Sequence, residues 1–257
     1  MDKNRIRFYS AWVIISAFIL LSGCAGLNPG RPDCHTKQAF KLANSVKDLN
    51  KNIKSCTGIG WIRISTKKRT DKFRIAWVAL NPDKIRLTLL DTGFPVETII
   101  ADGEKVIFIS HTGKHSLYKI NTPNPSLMAI LSIPVKVRGI ISLLSGRIPL
   151  KNFNSACLSG SDNSGKMTLI LNEEWRGMSQ KIIFDPKGLI CKYELLDSEK
   201  WPLYSVSLAK FKTYGISRIP LKIKITDASG RDLELEITDY RVNTPVKNSA
   251  FSLTESG

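Results

Sequence analysis

Between Lys84 and Leu89 every second residue is apolar: Ile85, Leu87 and Leu89 alternate with Lys84, Arg86 and Thr88. The same period of two returns in Lys166–Leu171, where Met167, Leu169 and Leu171 are the apolar members. It returns again in Leu221, Ile223 and Ile225 with Lys222 and Lys224 between, and in Leu233, Leu235 and Ile237 with Glu234 and Glu236 between. Successive side chains of an extended backbone point to opposite faces, so each segment has one apolar and one wetted face. Turn-forming breaks at Asn81-Pro82-Asp83, Ala101-Asp102-Gly103, Thr112-Gly113, Asp185-Pro186-Lys187-Gly188 and Ala228-Ser229-Gly230 are spaced for hairpins and short loops. The rhythm predicts roughly a dozen antiparallel strands in one large sheet, one face dry and one wet.

Two stretches depart from that rhythm. From Lys37 to Ile53 the apolar residues Phe40, Ala43, Val46, Leu49 and Ile53 recur at helical spacing, with Lys41, Lys47, Asp48 and Lys51 between them. Near the middle of the chain, Asn124-Pro125-Ser126 offers a helix start before Leu127 to Leu131, and Val135 to Leu144 is helical in spacing after Pro134. The expected fold is mainly β (α+β): a single large curved antiparallel sheet forming a half-open barrel, with an N-terminal helix and short lid helices. Such an arrangement encloses an apolar cavity.

The N-terminus is read separately. Lys3, Arg5 and Arg7 precede an apolar run from Ala11 to Leu21, which ends in Leu21-Ser22-Gly23-Cys24. A membrane span needs about 18 to 20 apolar residues, and this run is broken at Ser22, so a cleaved signal over residues 1–23 is expected. The tetrapeptide resembles the bacterial lipobox, which implies a diacylglycerol on the Cys24 sulfur and an N-acyl chain on the new terminus. Ala25 follows the cysteine, and the rule of that lipoprotein class then implies the periplasmic face of the outer membrane. Residues 24–35, rich in Gly, Pro and Asn, read as the lipidated cysteine and a flexible tether, and residues 36–257 as the folded domain.

The chain carries 38 Lys and Arg against 22 Asp and Glu, a formal charge of +16. Removing residues 1–23 takes away three cations and one anion, which leaves 35 against 21, or +14. A basic balance favours approach to anionic surfaces and says little about fold. Outside the cytoplasm this points to lipid headgroups or acidic proteins, and away from nucleic acid. Arg63, Lys84, Arg86, Lys136, Arg138, Lys222 and Lys224 are spread along the chain, so no compact patch can be drawn. With Cys24 assigned to lipid, Cys34, Cys56, Cys157 and Cys191 allow three pairings. Cys34 with Cys56 would tie the N-terminal segment to the first strand, whereas Cys157 and Cys191 lie in strand-like runs, and reduced buried thiols are equally open. No CxxC spacing occurs.

An ordered set of segments resembles the bacterial lipoprotein-localisation family of LolA and LolB, and most the LolB branch. It comprises Gly58-Ile59-Gly60-Trp61-Ile62-Arg63-Ile64, Phe73-Arg74-Ile75-Ala76-Trp77, Asn81-Pro82-Asp83-Lys84-Ile85-Arg86-Leu87, Ile133-Pro134-Val135, Leu144-Ser145-Gly146-Arg147-Ile148-Pro149, Ile219-Pro220-Leu221-Lys222-Ile223, and Tyr240-Arg241-Val242-Asn243 with Phe251. The resemblance implies an open antiparallel barrel closed by helices, whose apolar cavity holds acyl chains of a lipoprotein or lipid in transit, with no chemical step. It places Trp61 and Trp77 on the cavity wall. Trp175 and Trp201, both expected on later strands, and the strand residues Leu87, Leu89, Leu221 and Ile223 are further lining candidates. It also implies a protruding loop at Asp91-Thr92-Gly93-Phe94-Pro95, with Phe94 at the tip beside Pro95. The partners implied are the membrane surface, acylated lipoproteins or lipids, and a LolA-like periplasmic carrier, with the protein itself a monomer. The alternative is a structural or assembly lipoprotein of the envelope with the same fold and a filled interior.

Other chemistries find weak support. Gly160 to Lys166 has the glycine and lysine spacing of a phosphate-binding loop, but Met167 stands where a Ser or Thr must hold magnesium, and the segment joins two strands. His111 and His115 bracket Thr112-Gly113-Lys114 without a nearby carboxylate or cysteine to complete a metal site. No nucleophile elbow or paired acid is evident. The expectation is a protein without catalytic residues, metal or cofactor beyond the lipid on Cys24.

Overall fold

The computed structural model describes residues 33–253 apart from residues 116, 123 and 132. The signal segment, Cys24 and the tether up to residue 32 lie outside the described residues. No helix among the described residues is long and apolar enough to cross a membrane.

The strands run in two meanders. β2 (Ser55–Ser65), β3 (Thr70–Leu80), β4 (Lys84–Asp91), β5 (Phe94–Asp102), β6 (Val106–Ser110) and β7 (Tyr118–Ile120) form the first. β8 (Ser155–Ser159), β9 (Met167–Glu173), β10 (Met178–Phe184), β11 (Ile190–Leu196), β12 (Pro202–Tyr214), β13 (Ser217–Asp227) and β14 (Asp232–Val242) form the second. β14 pairs with β2, and the short β1 (Asp33–Cys34) pairs with β8, so one antiparallel sheet of 14 strands runs β1-β8-β9-β10-β11-β12-β13-β14-β2-β3-β4-β5-β6-β7. The sheet is open, and its edge strands β1 and β7 are only two and three residues long, which limits the unpaired edge each presents. This is the half-open barrel that the alternating pattern predicts.

Alternation sets the two faces. On β4, Ile85, Leu87 and Leu89 are buried, while their neighbours are partly wetted. On β2, Ile62 and Ile64 point inward, and Trp61 and Arg63 point out. The outward face carries cross-strand ion pairs: Glu234 meets Arg63 at 3.0 Å and Lys222 at 3.1 Å, and Asp232 meets Lys224 at 2.9 Å. Half-exposed pairs of this kind contribute about 0 to 1 kcal/mol each, so they account for much of the strand charge without holding the fold together.

Two glycines on β2 let large groups approach the backbone. A Cβ on Gly58 would lie 2.2 Å from the Trp77 ring, and one on Gly60 would lie 2.4 Å from the Glu236 carbonyl, next to the β14 bulge between Ile237 and Asp239. Trp77 can therefore lie flat across the first strand, buried beside Tyr240.

α1 (Lys37–Asp48) begins at Thr36, whose hydroxyl accepts from the Ala39 amide at 3.1 Å, and buries Ala39, Ala43 and Val46 against β8 and β9. It ends at Asp48, earlier than the spacing to Ile53 predicts, because Asn50 takes a positive φ of 52° to make a buried polar contact described below. Cys34 is bonded to Cys157, its register partner on β8, and not to Cys56. Cys56 and Cys191 are free thiols. Burial pushes both thiols up, which favours their protonated form.

Candidate functional site

β7 and β8 lie at opposite ends of the strand order, so the chain between them must cross the mouth of the sheet. It does so with α2 (Met128–Leu131) and α3 (Val137–Leu144), followed by an extended segment over residues 147–153. α3 turns Val137, Ile140, Ile141, Leu143 and Leu144 into buried positions. Between the crossover and the concave face lies a cavity of about 30 Å³. Its wall is entirely apolar: Ile62, Ile75 and Leu87 come from the first meander, Ile223 and Leu233 from the second, and Leu131, Ile140 and Leu143 from the helices. A space of that size has room for a water, which needs about 10–15 Å³ for its centre, but with no polar partner it stays dry. The space beneath α3 is thus apolar and small.

The C-terminal end of α3 is fastened to the sheet by buried polar groups. Asn50 Nδ2 donates to the carbonyls of Ser145 and Gly146 at 3.2 and 3.0 Å, and to that of Arg218 at 3.1 Å. Asn81 Nδ2 donates to the Ser145 hydroxyl at 2.9 Å, and the Tyr240 hydroxyl donates to the Leu144 carbonyl at 2.6 Å. At the other end the side-chain polar contacts are exposed, Asn124 Oδ1 accepting from the Arg138 amide and an Arg138–Asp83 ion pair, each at 3.0 Å, and the hold comes from the buried Ile133, Val135 and Val137. The buried polar fastening makes Ser145 and Gly146 the natural pivot of any outward swing.

On its other side α3 borders a larger cleft of about 680 Å³. Gly139 and Ser142 of α3, the segment from Arg147 to Phe153, and Val46 with Lys47 of α1 form its rim, and Met178, Leu195 and Tyr204 line it from β10, β11 and β12. Burial of Tyr204 pushes its phenol up to about 12, so it faces this space as a neutral group.

The lining candidates divide sharply. Trp77, Leu87, Leu89 and Ile223 are buried in the core, and Leu87 and Ile223 face the small cavity; Leu221 is half-buried against the same core. Trp61 and Trp175 do not line the interior. Trp61 is on the outer face with the Lys72 ammonium 4.8 Å from its ring centre, and its parity on β2 matches that of Arg63. Trp175 is 94% exposed in a short 3-10 turn between β9 and β10, and Trp201 is likewise exposed, in the connection from β11 to β12. Phe94 is 75% exposed beside the tight Thr92-Gly93 turn, where both residues have positive φ, and Pro95 is exposed next to it. The cleft brings Lys136, Arg138, Arg147 and Lys151, close in sequence, together with Lys47 from the distant α1, a grouping that the sequence alone does not show.

The remaining motifs resolve locally. Asp162 Oδ1 accepts from the Ser164 and Lys166 amides, so Gly160 to Lys166 is an ordinary β8–β9 turn. His115 pairs with Glu97 at 2.9 Å and His111 with Thr98 at 3.0 Å. Among the described residues no three His, Cys, Asp or Glu side chains gather to hold a metal.

An open antiparallel half-barrel whose mouth is crossed by helices defines a recognisable class. The chain is similar in structure to a LolA-superfamily protein of Nitrosomonas europaea, with a TM-score of 0.53 at 13% identity over 84% of this chain and 97% of that one. It is similar also to a DUF1329-family protein of Desulfovibrio piger, with a TM-score of 0.54 at 8% identity over 84% and 96%. The fold is that of the LolA-like half-barrels, and at these identities the likeness extends to fold alone. No protein-family model matches the chain, and no curated protein matches it in sequence.

Proposed function

We propose that this protein is a lipid-anchored outer-membrane protein of the LolB type, which takes acyl chains of a lipoprotein or lipid under its helical crossover and passes them to the membrane. The observation that carries this reading is the cover itself. The apolar concave face is closed by a helical crossover whose buried polar fastening lies at one end, and not by further strands. Swinging α3 outward uncovers Ile62, Ile75, Leu87 and Ile223, and an acyl chain would cover them again at about 25 cal/mol per Å² of apolar surface, less the cost of ordering the chain. Each methylene gains about 0.8 kcal/mol on leaving water, and a bilayer supplies the same gain, so release into the membrane is not opposed. The lipid expected on Cys24 would hold the domain near its destination, and Phe94 would offer an exposed apolar tip to the bilayer.

A second reading is favoured by one observation. The apolar cavity beneath α3 is small, about 30 Å³, which suits a structural or assembly lipoprotein that carries no lipid. The test is capture by a soluble form beginning at residue 25, since the buried apolar residues among those described run from Ala39 to Phe251. Retention of an acylated lipoprotein or lipid through purification supports the carrier. Failure to hold any acylated species, together with stable binding to an envelope protein, supports the assembly role.

A further inference from the structure

The cleft beside α3 differs in kind from the dry cavity beneath it. Lys47, Lys136, Arg138, Arg147 and Lys151 line it, and no carboxylate does. Arg138 is neutralised by Asp83, but among the described residues Lys47, Lys136, Arg147 and Lys151 have no acid within ion-pair distance. Burial, and then the charge of Lys136, pull the Lys151 ammonium below the ordinary lysine range, with Glu173 nearby pulling the other way, so repulsion among the cations outweighs the one acid in reach. Deeper in, the lining turns apolar with Phe153, Met178 and Leu195. α3 is the partition: Gly139 and Ser142 face the cleft, while Ile140, Leu143 and Leu144 face the apolar cavity.

From this juxtaposition we infer that the cleft is the headgroup site of an anionic phospholipid, whose phosphate sits among Lys47, Lys136, Arg147 and Lys151 while its chains pass beneath α3. Clustered cations that outnumber their counter-charges are relieved by an anion, and charge-assisted hydrogen bonds to phosphate oxygens are about twice as strong as neutral ones. The volume, about 680 Å³, is within the usual range of about 300–1,000 Å³ for small-ligand sites. An acylated cysteine terminus offers no phosphate to these groups, so the assignment narrows the cargo from acylated molecules in general to phosphate-bearing lipids. It rests on the carrier reading for the chains and on the cleft alone for the headgroup.

The test titrates the form beginning at residue 25 by calorimetry with dihexanoyl phosphatidylglycerol, dihexanoyl phosphatidylcholine, glycerol 3-phosphate and a triacylated cysteine peptide. The phosphatidylglycerol should bind about tenfold more tightly than the phosphatidylcholine, the difference should shrink with salt, and Lys136→Gln with Lys151→Gln should abolish it. Lys151→Arg should keep it. Equal affinity for the two phospholipids, unchanged by the paired substitution, would overturn the headgroup assignment and leave the carrier reading standing. Glycerol 3-phosphate binding as tightly as the lipid would reduce the cleft to a free-phosphate site, and a preference for the acylated peptide would overturn the cargo class. Binding of none of the four would remove both this site and the carrier reading.

Discussion

Asn50 shows how much one side chain can decide. Its two amide hydrogens are shared among the carbonyls of Ser145, Gly146 and Arg218, which joins the end of α1, the end of α3 and β13 at one buried point. Asn50→Ala leaves those carbonyls without their donor and is expected to cost about 2–3 kcal/mol in denaturant unfolding; a loss below about 0.5 kcal/mol would mean the contacts are incidental. The buried tyrosines predict a pH dependence. Burial raises Tyr204 to about 12 and also raises Tyr193 and Tyr240. Their neutral forms are fully stabilising below pH 10, where the unfolded phenols begin to ionise, so stability should fall as pH rises from about 10 towards 12, by about 1.4 kcal/mol per pH unit for each phenol. An unfolding midpoint unchanged across that window would contradict their burial. Trp61 lies on the outer face. Its alternation with Ile62 and Ile64 already placed it on the wet face, and the expectation of a cavity role gave residue type more weight than parity.

At the scale of elements the strands were legible because period two reports directly on which face is buried. Less legible was where α1 ends, since the stop comes from the tertiary contacts of Asn50 and not from a local breaker. The basic cleft was hidden for a related reason: Lys47, Lys136 and Arg147 reach one space only when α1, α3 and the segment after it pack together. The pivot of α3 carries its own prediction. Gly146 has φ of 67°, and a Cβ there would lie 2.6 Å from Asn50 Nδ2 and 2.8 Å from Ile219 Cδ1. Gly146→Ala adds backbone strain to that collision and should destabilise the protein by more than about 1 kcal/mol. Hydrogen exchange should quicken in α3 more than in β13; uniform exchange across both would deny Gly146 a special part in fastening the helix.

For the whole molecule, the joining of two meanders through β14 and β2 forces the helical crossover over the mouth. Periodicity predicts strands but not which ones pair across such a distance, and so it could not choose among the cysteine pairings. The Cys34–Cys157 bond closes a separation of 123 residues and ties the segment next to the tether to β8. In the chain-entropy account such a link is worth about 5 kcal/mol. Reduction should therefore lower the denaturant midpoint markedly in the wild-type chain and not in Cys34→Ser, and equal midpoints with and without reductant in the wild type would count against a stabilising role. A carrier of this kind requires that α2 and α3 form a cover that opens for an acyl chain. Nitroxide labels at Ser126, beside the cover, and Ser207, on β12, in a Cys191→Ser background, would report it as a distance distribution. Opening predicts a longer distance that grows saturably as an acylated ligand is added, whereas one unchanged distribution at saturating ligand would show a permanently closed core and contradict the account.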